Sequence, residues 1–208
     1  MARIMAYEPE VILLDEPFSA LDDFLKDRLA QEMLDLLKDY RGTVVLVSHS
    51  RDEIYRFTRE LLTMADGMQI SYGGTREIFA NPGRKETARL TGCKNIAEAK
   101  RIDGRHLEVP EWGITLCLNE NIPEKVAFVG VRAHEFIPVW GDAGSNCIPV
   151  NVKSSAILPF ERKYFLAGAE GSEEDICWFL QRDKWPLIDR KGMPDFLMMP
   201  EEKILLLE

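Results

Sequence analysis

Cysteine and histidine are scarce in this chain, and neither is clustered. The four cysteines are scattered and form no CxxC pair: Cys93, Cys117, Cys147 and Cys177. The only histidines are His49, His106 and His134. Because a structural zinc site needs closely spaced thiolate and imidazole ligands, the sequence suggests none. We expect reduced thiols in semi-buried positions.

Long apolar runs and an excess of basic residues are also missing. No run approaches the roughly 18 apolar residues of a spanning helix, and the first ten residues, MARIMAYEPE, contain no signal-peptide core. We therefore expect no direct membrane insertion and a membrane role only through a partner. The net charge of −9 argues against non-specific binding to nucleic acid, although a local basic patch is not excluded.

The first part of the chain has an α/β pattern. The continuous apolar run VILLD (11–15) predicts a strand buried on both faces of a parallel sheet. A helical pattern over 22–39, a second apolar run in TVVLVSH (43–49) and a helix over 51–60 follow it. Asp66-Gly67 predicts the turn of a hairpin. Strand, helix, strand, helix is the order of a doubly wound sheet.

The composition changes near residue 92, where helical periodicity nearly vanishes. Short apolar segments separated by turn residues replace it, which is typical of a small barrel or sandwich. We therefore predict an α/β domain over residues 1–92 and a mainly β domain over residues 93–208.

Two adjacent acids end the first predicted strand. Ligands of a doubly wound sheet bind beyond the carboxyl ends of its strands, where Asp15, Glu16 and His49 would converge if the two strands are neighbours. One carboxylate would hold Mg²⁺ through water, the other would polarise the attacking water, and the histidine would contact a γ-phosphate. Adjacent acids after a strand are common by chance, and a strand-end histidine is more often structural. The complete series of motifs favours nucleotide hydrolysis.

That series, VILLDEP, SALD and VLVSHS, resembles the C-terminal half of an ABC-transporter nucleotide-binding domain. VILLDEP resembles the Walker B strand, which implies a magnesium role for Asp15 and a general-base role for Glu16. SALD, with Ser19 and Asp22, resembles the D-loop, which in this family crosses to the partner subunit. The resemblance implies that Ser19 and Asp22 belong to the nucleotide site. VLVSHS resembles the switch-histidine strand, with His49 as the switch. One departure is Arg59-Glu60, where the family usually has Asp-Arg.

Several motifs of this family do not occur in the 208 residues. They contain no GxxxxGK[ST] phosphate loop, no LSGGQ signature, no glutamine loop and no adenine-stacking aromatic. The resemblance therefore implies a partial nucleotide-binding domain of the P-loop NTPase type without its N-terminal part. We expect this chain alone neither to bind ATP tightly nor to hydrolyse it. Half of such a sheet would leave an unpaired edge and uncovered apolar surface, which favours a homodimer.

The segment ARLTGCKNIAEAK (88–100) resembles the junction to a small accessory barrel in molybdate- and sulfate-type importer ATPases. VGVRAHEFIPV (129–139) resembles a strand of that barrel, and the remainder resembles a TOBE-like, OB-type barrel. The resemblance implies ATP and Mg²⁺ as cofactors and an oxyanion such as molybdate, tungstate or sulfate as cargo. The implied partners are transmembrane permease subunits and, indirectly, a substrate-binding protein, at the cytoplasmic face of the membrane.

A candidate oxyanion site lies in NVKSSAILPFERKYF (151–165). Lys153, Ser154 and Ser155, with Arg162 and Lys163 nearby, supply the cations and hydroxyls that suit a tetrahedral oxyanion. A solvated polar turn between two strands has the same composition, and the family's row of serine, alanine, arginine and asparagine is not reproduced.

Three functions remain open at this point. The leading hypothesis is the ATP-hydrolysing subunit of an ABC importer. The second is a non-catalytic regulatory module that binds an oxyanion or a partner through its β-barrel. The third is an OB-type nucleic-acid binder with stacking tryptophans, but the negative charge favours core packing for all four of them: Trp112, Trp140, Trp178 and Trp185.

Overall fold

The computed structural model describes residues 9–172 and 174–208, which form two compact units. The first unit contains the described residues up to Leu62 together with Tyr72–Glu77, and the second contains Thr63–Ser71 and Ile78–Glu208. In the second unit the Thr87 hydroxyl lies 3.0 Å from Thr63 Oγ1 and 2.9 Å from Ser71 Oγ. This division does not fall between residues 92 and 93, and the domain boundary there stays a prediction.

The first unit is built around a two-stranded parallel sheet and two helices. Strands β1 (Val11–Asp15) and β2 (Thr43–Val47) pair in register from Val11–Thr43 to Asp15–Val47. Helix α1 (Asp23–Leu37) follows β1, and helix α2 (Arg51–Phe57) follows β2. The predicted order of strand, helix, strand and helix is confirmed.

The two faces of this sheet differ in burial. Ile12 is only 2% exposed, whereas Leu13 is 74% exposed and Val45, its partner on β2, is 45% exposed. The prediction that VILLD is buried on both faces is therefore wrong, because neither helix covers the face that carries Leu13. The small core of the unit centres on Phe18, Ala30 and Met33.

The predicted hairpin forms at Asp66-Gly67. Strands β3 (Glu60–Ala65) and β4 (Met68–Gly74) pair, and both turn residues are left-handed, with φ of 51° at Asp66 and 75° at Gly67. Two left-handed residues match the twist of a two-residue hairpin, which is why Asp-Gly predicts it. Helices α3 (Thr75–Ala80) and α4 (Lys85–Leu90) follow.

From residue 95 onward the second unit is mainly β. Its strands are β5 (Asn95–Glu98), β6 (Lys100–Arg101), β7 (His106–Val109), β8 (Ile114–Cys117), β9 (Phe128–Val131), β10 (Ile137–Val139), β11 (Cys147–Pro149), β12 (Val152–Ile157), β13 (Glu161–Leu166), β14 (Ile176–Gln181), β15 (Phe196–Met198) and β16 (Leu205–Leu207). They form antiparallel three-stranded sheets in the orders β16-β9-β5, β6-β7-β8, β10-β15-β11 and β12-β13-β14. The predicted short strands are confirmed, but the described residues do not form a closed barrel.

Short helical segments interrupt these strands. Helix α5 (Trp185–Lys191) was not predicted, because its seven residues span only two turns and give little periodicity. Pro186 suits its first turn, where a missing backbone N–H costs nothing, and Ile188 buries its inner face. Three 3₁₀ turns complete the unit: Pro110–Trp112, Arg182–Lys184 and Glu201–Lys203.

A large apolar core holds the second unit together. Trp178 and Trp112 are buried in it, and Trp140 and Trp185 pack against it half-buried, which confirms core packing for the tryptophans. Asn95, also buried, donates to the carbonyls of Val131 and Cys177 and accepts the Cys177 N–H. No helix within the described ranges is both long and apolar enough to span a membrane.

Candidate functional site

Glu16 lies directly beyond the carboxyl end of β1. Its backbone N–H donates to Val47 O at 2.9 Å, which extends the pairing with β2 by one residue. Its φ of 45° is in the left-handed region, which costs a residue with a Cβ roughly 1–3 kcal/mol. Such strain persists only where surrounding contacts impose it, and at Glu16 those contacts come from the end of β2.

The Glu16 side chain reaches the loop that carries His49. Glu16 Oε1 accepts the His49 backbone N–H at 2.8 Å, and the imidazole Nε2 lies 3.7 Å from the same oxygen. The His49 side chain is 94% exposed, while that of Glu16 is 30% exposed. The structure thus brings Glu16 and His49 together at one edge of the sheet and leaves the imidazole facing solvent.

Ser19 and Asp22 build the turn that leads from β1 into α1. The backbone N–H and the hydroxyl of Ser19 both donate to Glu16 O, at 3.2 and 2.9 Å. Asp22 is the N-cap of α1, since its Oδ1 accepts the Leu25 N–H at 2.9 Å. Phe18, directly before Ser19, is buried and stacks on Phe57 at 5.6 Å between ring centroids. Within this chain the SALD stretch therefore fixes the backbone beside Glu16.

A buried carboxylate beside His49 escaped the sequence reasoning. Glu53 is 5% exposed and accepts the Ser48 hydroxyl at 2.5 Å, and its other oxygen lies 2.7 Å from Lys26 Nζ. Burial raises the pKa of the Glu53 carboxyl, but hydrogen bonds from Lys26 and Ser48 outweigh it, so the pKa is lowered. Ser50 caps α2 by accepting the Glu53 N–H at 3.4 Å.

The sequence carried a signal for this group. Ser50 and Glu53 have the S-x-x-E spacing of a capping box, in which the glutamate usually returns to the N–H of the N-cap residue. Here the Ser50 N–H donates instead to Ser48 Oγ at 3.0 Å. The Glu53 carboxylate is thereby left to bind Ser48 and Lys26, which the motif alone does not predict.

The acidic residues at the end of β1 are of the type that binds Mg²⁺ but do not form a complete site, since no group of three or more metal-binding side chains occurs among the described residues. Carboxylate oxygens are hard ligands of the kind that Mg²⁺ prefers. Asp15 is exposed, and within residues 9–172 and 174–208 its carboxylate has no hydrogen-bond or ion-pair partner. The phosphates of a nucleotide need a different element, and the 208 residues contain no GxxxxGK[ST] motif to supply it.

The candidate oxyanion residues lie on strand β12 and not in a turn. Ser154 is opposite Phe165 and Ser155 is opposite Tyr164, so consecutive hydroxyls point to opposite faces of the sheet. The side chains of this strand are exposed. The structure therefore does not bring Lys153, Ser154 and Ser155 into one pocket.

The cations of this region are paired with acids. Lys153 forms an ion pair with Asp175, and Lys163 lies 3.0 Å from Glu161. Arg162 is paired with Asp189 at 2.5 Å and stacks over the ring of Trp185. These ion pairs lower the positive potential that an oxyanion would meet.

Comparisons with known proteins show that the chain is similar to import ATP-binding proteins. No protein-family model matches it. The Molybdate/tungstate import ATP-binding protein WtpC of Pyrococcus horikoshii is 34% identical over 174 residues, which is 84% of this chain and 45% of that protein. The Fe(3+) ions import ATP-binding protein FbpC of Haemophilus influenzae is 31% identical over 136 residues, which is 65% of this chain and 38% of that protein.

A third relative is the Phosphate import ATP-binding protein PstB 1 of Lactococcus lactis. It is 44% identical over 88 residues, which is 42% of this chain and 34% of that protein. The chain therefore spans less than half the length of these curated relatives.

Proposed function

The chain is related to the ATP-binding subunits of ABC importers, and we propose that residues 1–92 supply the metal- and water-binding side of an ATP-hydrolysing site. The contact between Glu16 and His49 at the carboxyl ends of two parallel strands carries this proposal. Residues 93–208 would form a TOBE-like accessory domain. The intact importer would contain two copies of the subunit, bound to permease subunits at the cytoplasmic face and indirectly to a substrate-binding protein.

Each residue of the site has a separate role in this proposal. Asp15 would hold Mg²⁺ through water, and the bound ion would neutralise charge on the phosphate oxygens. Glu16 would orient the attacking water and accept its proton, for which its partly exposed carboxylate is suited. The exposed imidazole of His49 would donate a hydrogen bond to the terminal phosphate. Ser19 and Asp22 would hold the turn in place and reach the partner subunit.

Positioning of the phosphates would come from outside these 208 residues. Phosphoryl transfer depends mostly on such positioning, and no phosphate-loop motif occurs in the sequence. We therefore propose that the chain by itself binds ATP weakly and does not hydrolyse it.

An oxyanion is the cargo that we propose. The relative that matches most of this chain among those described is named for molybdate and tungstate, and a second is named for phosphate, which is also an oxyanion, whereas the third is named for iron. A regulatory role for Lys153, Ser154 and Ser155 would require a rearrangement of β12. Titration calorimetry of the chain with molybdate, tungstate and sulfate tests the regulatory role. Saturable binding that Lys153→Ala removes would support a regulatory oxyanion site.

A chimaera tests the enzymatic proposal. The segment of the Pyrococcus horikoshii relative that precedes its match would be fused before residue 1, and ATP hydrolysis measured. We expect hydrolysis in the chimaera, a loss of about a hundredfold or more in its Glu16→Gln variant, and none in the 208-residue chain. Glu10→Gln, which changes an exposed acid just before β1, is the matched control. An active Glu16→Gln chimaera would contradict the role of Glu16.

A further inference from the structure

Glu53 connects the two chain segments that border the candidate site. One of its partners, Ser48, directly precedes His49, and the other, Lys26, lies in the first turns of α1 just after the SALD stretch. Both contacts are short, and the carboxylate is almost completely buried. A buried carboxylate is costly unless it is paired and hydrogen-bonded, so its partners determine where the attached segments lie.

Glu53 forms hydrogen bonds with the residues directly before and after His49 in the chain. Ser48 Oγ donates to Glu53 Oε2 and accepts the Ser50 N–H, and Ser50 Oγ accepts the Glu53 N–H. The backbone before and after His49 is thus tied to one residue of α2. His49 itself has no contact with Glu53 among these hydrogen bonds. Its backbone N–H donates to Glu16 Oε1, and its imidazole is exposed.

We infer that Glu53 is a positioning residue of the candidate site: its carboxylate fixes the Ser48–Ser50 loop against α1 and so holds the His49 N–H on Glu16. The importance of this arrangement for hydrolysis rests on the proposed function. The positioning itself does not, since it concerns a hydrogen bond that exists in the chain without nucleotide.

Amide hydrogen exchange of the ¹⁵N-labelled 208-residue chain measures this hydrogen bond. Glu53→Ala removes both side-chain contacts, Ser48→Ala removes the hydroxyl that binds both Glu53 and the Ser50 N–H, and Glu53→Gln keeps one acceptor oxygen. We expect the His49 amide to exchange about tenfold faster in the two alanine variants, with the β2 amides of Thr43 and Val45, which face β1, as internal references. Glu53→Gln should restore part of the protection.

Asp52→Asn is the matched control, because it removes an exposed acid from the same turn of α2 and should leave His49 unchanged. If Glu53→Ala does not fold, Ser48→Ala decides the question. Unchanged His49 exchange in Ser48→Ala would overturn the inference, as would an equal rise at His49 and in β2. An inactive chimaera with a protected His49 amide would instead count against the proposed function alone.

Discussion

Leu13 of the first unit is 74% exposed on a two-stranded sheet, whereas Trp178 of the second unit is 1% exposed in a core drawn from most of the strands around it. The first unit carries the candidate residues and few buried apolar side chains, whereas the second carries most of the buried apolar side chains. Apolar burial is the main favourable term in folding, so we expect the second unit to be the more stable. All four tryptophans lie in it, and their fluorescence therefore reports its unfolding alone.

The largest effect is expected at the centre of the second unit. Trp178 packs in the core and stacks on Tyr164 at 4.9 Å between ring centroids. Trp178→Ala should lower the free energy of unfolding by about 3–5 kcal/mol, because it removes buried area and leaves a cavity. Urea titration followed by the remaining tryptophans measures this loss. Phe160→Ala, at a side chain 73% exposed, is the control and should stay within about 0.5 kcal/mol of the parent.

A buried polar brace should have the next largest effect. Asn95 makes hydrogen bonds of 2.6 to 3.0 Å to the backbone of Val131 and Cys177. Asn95→Ala leaves those groups without the side-chain partner, which should lower the free energy of unfolding by about 2 kcal/mol or more. The same urea titration applies, with exposed Asn121→Ala as control. Equal stability of the two variants would show that water replaces the amide. The expected difference in stability between the two units would then be smaller.

The sequence predicted features whose causes are local. Asp66-Gly67 predicted a hairpin because both residues tolerate left-handed φ, and the helical pattern over 22–39 predicted α1 because its apolar residues recur at the helical period. Glu16 and His49 were predicted to meet because parallel neighbouring strands end at the same edge. In each case the physical reason lies within a few residues or in one strand pairing.

Features that depend on distant partners were missed. VILLD has the composition of a strand covered on both faces, but the composition does not say whether any element lies over Leu13. Ser154 and Ser155 were candidates for one anion site, yet pairing with β13 places them on opposite faces. Glu53 had a recognisable capping-box spacing, but its partner Lys26 is distant in sequence, and spacing within α2 gives no information about it.

Acid should affect the first unit through Glu53. The pKa of this carboxyl is lowered in the folded state, so its contribution is complete above the ordinary glutamate value of about 4.3 and is lost as pH falls through the folded pKa. The groups facing it are the Lys26 ammonium, which stays charged there, and the Ser48 and Ser50 hydroxyls. We expect the amide resonances of Ser48–Ser50 to lose protection below about pH 4, and Glu53→Gln to remove that part of the pH dependence. Tryptophan fluorescence follows the unfolding of the second unit over the same pH range as a reference. Unfolding of the second unit at the same pH would indicate a general effect of acid.

The smallest effect on stability, and the sharpest test of the comparison, is expected on the exposed face of β1 and β2. Leu13→Thr introduces a β-branched side chain suited to a strand and removes apolar surface from water, so the free energy of unfolding should change by about 0.5 kcal/mol or less. Sedimentation velocity over a range of concentrations should show weaker self-association in Leu13→Thr, and weaker still when Val45→Thr is added, because both side chains lie on the same face. Val152→Thr, at a side chain 43% exposed in the second unit, controls for loss of one apolar group elsewhere.

A loss of stability near 2 kcal/mol in Leu13→Thr would mean that this face is covered in solution, since an exposed leucine contributes little to folding. The first unit would then bury this apolar face against another surface, whereas the second unit buries its apolar side chains within itself. A free energy of unfolding that rises with protein concentration would show that the other surface belongs to a second copy of the chain.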